Sequence, residues 1–123
     1  MRRECRWVVA LTIGLVPAAQ AQMGVNPFRT LPGPRLSATD TDLLLASVAK
    51  LNQTVPETPG ASDAWSNPKT GSSGTSTLKR VFQSRAGLDC HEILHHIVVA
   101  GHAPGHDYRF TWCKTPAGEW KAK

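Results

Sequence analysis

Residues 91–95 read His-Glu-Ile-Leu-His, a literal H-E-x-x-H, and of everything in the chain their types and spacing come nearest to chemistry. On a helix the two imidazoles share one face and can both ligate Zn²⁺ while Glu92 polarises a metal-bound water, the arrangement of a zinc hydrolase. Asp89 could cap such a helix with Glu92 in its first turn, Gly101 could end it, and His102 or His106 could supply a third ligand. The flanking residues favour a different conformation. Ile97, Val98 and Val99 are β-branched and suit a strand, on which His91 and His95 stand four rises apart, roughly 13 Å, out of reach of one ion. The longer zincin pattern also fails, with Val98 where Gly is required and Gly101 where His is required. Five His fall within residues 91–106, so three fixed positions are easily met by chance. His91 and His95 are therefore expected as partly buried side chains whose ring nitrogens meet backbone or the Tyr108 hydroxyl. His96, His102 and His106 are expected near a solvated loop, with surface capture of a transition metal by these three as a looser alternative.

The elements that would position these side chains follow from the punctuation of the chain. After Gly74, short runs at 75–84, 89–99, 106–114 and 119–123 are separated by Gly-bearing turns, the pattern of a four-stranded antiparallel meander. If the second and third runs form a hairpin around residues 100–103, opposed residues sum to 203 and Cys90 falls opposite Cys113. The same register sets His91 against Trp112, Ile93 against Phe110, His95 against Tyr108 and Ile97 against His106 on one aromatic and aliphatic face. Glu92 with Thr111, Leu94 with Arg109 and His96 with Asp107 gather on the other, more solvated face. A slip of one residue would destroy this agreement.

Upstream, Ser37 with Asp40, or Thr39 with Asp42, resembles a helix N-cap. Leu44, Val48 and Leu51 recur at helical spacing with Leu45 beside them, and Asn52 and Pro56 stop the pattern. One helix over about 39–51, with a single apolar stripe, is predicted to cover the aromatic face of the sheet. Residues 52–74 read as loop, with Asn67-Pro68 and Thr70-Gly71 making a tight turn after the aromatic anchor Trp65. Residues 22–36, with three Pro, two Gly and no periodic apolar pattern, read as an extended, flexible lead.

The start of the chain has the character of a targeting segment. Arg2, Arg3 and Arg6 precede an apolar run from Trp7 to Val16, followed by Pro17 and the small-residue site Ala19-Gln20-Ala21, which reads as a signal peptide cleaved after residue 21. The apolar run, about ten residues, falls short of the roughly twenty that a membrane-spanning helix requires, and none is expected in the mature chain. Cys5 precedes the run instead of following a cleavage site, so no lipid anchor is expected. The 123-residue chain has 14 basic and 9 acidic residues, a formal charge of +5. Cleavage would remove Arg2, Arg3, Arg6 and Glu4, leaving eleven basic against eight acidic residues and a surplus of three. That surplus forms no dense basic block, so nucleic acid is not an expected partner. For an exported chain, Cys90 and Cys113 are expected as a disulfide in preference to two thiolate ligands.

Trp65-Ser66-Asn67-Pro68-Lys69-Thr70-Gly71, then Gly74, a strand, Gly87-Leu88-Asp89-Cys90, a second strand, Gly101, Trp112-Cys113 and Gly118-Glu119-Trp120 form a longer pattern. Over about residues 63–121 this pattern resembles the C-terminal domain of the bacterial 17 kDa surface antigen family. That family shows a W-x-N-P-x-T-G-x-x-G opening, a G-x-x-C before a strand, a second Cys after a hairpin and a closing G-x-W. The resemblance implies a small, non-catalytic β-rich module of the cell envelope, without cofactor, in which Trp65, Gly71, Gly74, Gly118 and Trp120 are structural anchors. It also implies that the apparent zincin motif is a coincidence of strand residues. The lipobox Cys that anchors many members is missing here, and the 39–51 helix replaces the Gly-rich hydrophobic segment that often precedes the domain.

The expectation is thus an α+β protein: signal peptide 1–21, flexible lead 22–36, and a domain over 37–123 with one N-terminal helix packed on a four-stranded antiparallel meander. Its expected role is structural or interaction-based, exported to the periplasm or outer-membrane-associated, with an unidentified envelope component as partner. The rival is a small zinc-dependent hydrolase using His91, Glu92 and His95. A third reading is a periplasmic metal-binding module using the hairpin histidines.

Overall fold

Ser37 opens the helix through a reciprocal capping box. Its hydroxyl accepts from the Asp40 backbone N–H at 3.0 Å, and the Asp40 carboxylate accepts from the Ser37 backbone N–H at 3.0 Å. The computed structural model describes residues 26–123, in which helix α1 runs Ala38–Gln53. The signal peptide read over residues 1–21 lies outside the described residues, as do residues 22–25 of the lead. Leu44, Val48 and Leu51 are buried along α1, the spacing that puts three side chains on one stripe.

Five strands follow: β1 Ser62–Ser66, β2 Ser73–Gln83, β3 Asp89–Val98, β4 His106–Lys114 and β5 Trp120–Ala122. They form one antiparallel sheet in chain order. The α+β class is therefore as expected, and the strand count is five where four were expected. The additional strand is β1, read from sequence as part of a loop. Its five residues hold one large apolar side chain, so no alternation marks them as a strand. The backbone of β2 captures them as an edge, and Trp65 pairs across to Gly74. An added Cβ on Gly74 would lie 2.5 Å from the Trp65 indole nitrogen and 2.9 Å from the His96 carbonyl oxygen, so only glycine lets that ring lie against β2.

The β3–β4 register follows the arithmetic at every pair considered: Cys90 faces Cys113, His91 Trp112, Ile93 Phe110, His95 Tyr108 and Ile97 His106. Cys90 and Cys113 form a disulfide across it, 23 residues apart in sequence. Between β2 and β3 the register shifts between Leu78 and Arg80, a bulge that leaves Lys79 unpaired. Among the described residues, no helix is long and apolar enough to cross a membrane.

Residues 26–36 depart from the lead read in the sequence. Asn26 caps a short 3-10 helix, Pro27–Thr30, by accepting from the Phe28 N–H at 2.9 Å. Phe28 is buried, edge-on to the His95 ring at 5.0 Å and to Phe110 at 5.3 Å. Farther along, the Tyr108 hydroxyl donates to the Pro32 carbonyl at 3.3 Å. An apolar anchor and a hydrogen bond thus tie this segment across the sheet. A single Phe among Pro and Gly carries no periodicity, so pattern reading passes over it.

Candidate functional site

The H-E-x-x-H residues lie on β3, within a strand. Alternation along β3 sends His91 and His95 to the helix-covered face, where both are fully buried, and Glu92 to the other. There Glu92 accepts from Arg109 at 2.7 Å and pairs with Arg80 at 3.5 Å, while the Arg80 guanidinium sits 4.1 Å over the Phe82 ring. Glu92 therefore cannot act on a water held between the two imidazoles, which themselves stand roughly 13 Å apart along the strand.

Each ring is engaged by a separate set of side chains, which replaces the backbone and Tyr108 partners expected from sequence. His91 spans the Asn52 side-chain oxygen at 2.8 Å and the Glu57 carboxylate at 2.7 Å, and Trp120 stacks on it at 4.3 Å and 23°. Trp112 Nε1–H donates to His95 Nε2 at 3.2 Å, so that nitrogen carries no hydrogen. Nδ1 must then hold the proton and donate to the Ser76 hydroxyl at 2.7 Å. Burial pushes the His95 pKa down to about 4, because the charged ring would lose its hydration without gaining an acidic partner.

A second buried polar cluster gives the Asn67–Gly71 turn its purpose. Asp40, 2% exposed, accepts from the Asn67 amide at 2.8 Å and the Thr70 hydroxyl at 2.6 Å in addition to the Ser37 N–H. Burial alone would raise the carboxyl pKa, but the hydrogen bonds from Thr70, the Ser37 backbone and Asn67 outweigh it and hold it below the ordinary value. Gly71 closes the turn at φ 84, with its N–H donating to the Asn67 carbonyl at 2.8 Å. The sequence offered Asp40 as the partner of a Ser37 cap, beside Thr39 with Asp42, and the structure takes the first pair. The bonds of Asp40 to residues 27 and 30 positions away have no local signal.

The remaining anchors fall in separate places. Trp65 and Gly74 meet across β1 and β2, Gly118 sits in the turn before β5, and Trp120 opens β5 against His91. The hairpin histidines are also dispersed: His96 pairs with Asp107 at 2.6 Å on the exposed face, and His102 and His106 flank the β3–β4 turn. Among the described residues, no three His, Cys, Asp or Glu side chains are grouped to hold a metal ion.

Sequence reading missed a sizeable concavity. Bridged segment 26–36, the first half of α1 and the ends of β3, β4 and β5 enclose a cleft of about 940 Å³. Leu31, Leu36, Leu45, Ile97, Trp112 and Trp120 form its apolar wall. A smaller cavity of about 220 Å³ adjoins it, sharing Leu45, Trp112 and Trp120 and reaching Asn52. The Asn52 amide nitrogen is buried there without a hydrogen-bond partner. No sequence signal marks the cleft, because its walls come from segments far apart in the chain.

Comparisons of the chain with protein-family models, with curated proteins and with solved structures gave no match. The likeness to the 17 kDa surface antigens thus rests on the Trp, Gly and Cys spacing alone.

Proposed function

We propose that this chain is a non-catalytic, surface-antigen-like module of the cell envelope, exported to the periplasm or associated with the outer membrane, with a structural or interaction role. One observation carries the reading. The residues that most resemble catalytic machinery serve the sheet: His91 and His95 are consumed by buried side-chain partners, and Glu92 is bonded to two arginines on the opposite face. The Cys90–Cys113 disulfide adds support, since such bonds persist in oxidising compartments.

Zinc analysis and cell fractionation of the expressed chain test the proposal together. The expected outcome is a disulfide-bonded protein in the envelope fraction, without stoichiometric zinc, that stays folded when Glu92 is replaced by Ala. One zinc per chain, accompanied by free thiols at Cys90 and Cys113, would overturn this reading. Recovery of the reduced protein solely from the cytosol would refute the envelope assignment.

A further inference from the structure

The cleft under residues 26–36 has a chemical character that its role in the fold does not require. Its volume, about 940 Å³, lies at the upper end of the roughly 300–1,000 Å³ typical of small-molecule sites. Packing that served stability alone would leave few voids larger than a water molecule. Here the half-buried Leu31, Leu36, Leu45 and Trp120 line an open cleft whose floor reaches the buried Ile97 and Trp112.

The charges around this apolar wall are one-sided. Arg29, Arg35 and Lys121 line the cleft against the single carboxylate of Asp42. Lys121 lies 3.7 Å from Glu119. Among the described residues, neither arginine has a carboxylate within ion-pair distance. Both arginines are exposed, so they mark the mouth and not the wall. Cations beside a low-dielectric wall attract an anion more strongly than the same charges on open surface. An apolar chamber with a cationic entrance matches a molecule having an alkyl body and one anionic end.

We propose that this cleft binds an anionic amphiphile with a single alkyl chain, its tail against Leu45, Ile97, Trp112 and Trp120 and its head at Arg29 and Arg35. The shared chemistry is a long chain ending in a carboxylate or a phosphodiester, supplied by a free fatty acid or by a lysophospholipid. The site does not depend on the envelope assignment: a failed titration would leave that reading standing, and a cytosolic location would leave the cleft intact.

Calorimetric titration of the purified chain, with each amphiphile below its micelle concentration, tests the site. The probes are oleate, 1-oleoyl-lysophosphatidylglycerol and uncharged 1-oleoylglycerol. Saturable binding of one anionic molecule per chain is expected, with the uncharged analogue weaker by about tenfold or more, the scale of a lost charge-assisted contact. Preference for oleate assigns the head as a carboxylate, and preference for the lysolipid assigns it as a phosphodiester. The double variant Arg29→Ala/Arg35→Ala, at exposed positions, is expected to reduce anionic binding by about tenfold and to leave the unfolding temperature unchanged. Leu45→Trp, placed to fill the chamber, is expected to abolish binding of all three probes. No saturable binding, equal affinity for the uncharged analogue, or indifference of oleate and lysolipid binding to the arginine variant would overturn the proposal.

Discussion

Lowering the pH tests the account of the buried histidine strand most directly. Unfolded, the His95 ring takes up a proton as the pH drops through its ordinary value near 6.5. Folded, burial holds it neutral down to about 4. Above about 6.5 the ring is neutral in both states and the native state keeps its full advantage. Between about 6.5 and 4 the unfolded state binds the extra proton, so stability declines as the pH drops, and below about 4 the loss is complete. At about 1.4 kcal/mol per unit, the interval corresponds to about 3 kcal/mol, a large share of the roughly 5–15 kcal/mol stability of a typical domain. Structurally, the proton must enter at Nε2, where it displaces the Trp112 N–H. Urea unfolding at pH 7.5, 6.5, 5.5 and 4.5 should show the decline, and His95→Gln, whose amide does not titrate, should flatten it. The decisive quantity is the difference between the two profiles. Parallel profiles for wild type and variant would refute the reasoning.

Three further outcomes follow from the same geometry. Asp40→Ala removes the acceptor shared by Ser37, Asn67 and Thr70 and should cost about 3 kcal/mol in urea unfolding, with α1 fraying at its start in hydrogen exchange. Because the Asp40 pKa lies below its ordinary value, that contribution is present above about pH 3.8 and fades at more acidic pH, so wild type and Asp40→Ala should converge there. Gly74→Ala must displace the Trp65 ring or the β2 backbone and should destabilise by about 1–3 kcal/mol, with an altered near-UV signal from the indole. Reducing the Cys90–Cys113 bond should lower stability by about 3 kcal/mol on the chain-entropy model while leaving the sheet signal at neutral pH, and a chain that unfolds outright would show the apolar core to be weaker than inferred.

What the sequence determined by itself was whatever rests on parity and period. The β3–β4 register was legible because a disulfide, a turn length and an alternating apolar face had to agree, and a slip of one residue breaks all three. Helix α1 was legible from Ser37, Asp40 and the Leu44, Val48 and Leu51 stripe, which are local signals. Strand β1 was not, because an edge strand gains its order from its neighbour's backbone and needs little pattern of its own. Phe28 was hidden for a similar reason: one side chain without periodicity docks only because His95 and Phe110 leave it a place. Tertiary structure also decided the partners of His91 and His95 and the existence of the cleft: the histidine partners come from adjacent strands, the end of α1 and the loop after it, 17 to 39 positions away, and the cleft walls come from segment 26–36, α1 and three strands. Local sequence prescribes the direction in which a side chain points along a strand or helix; which groups await it there is set by how the elements pack.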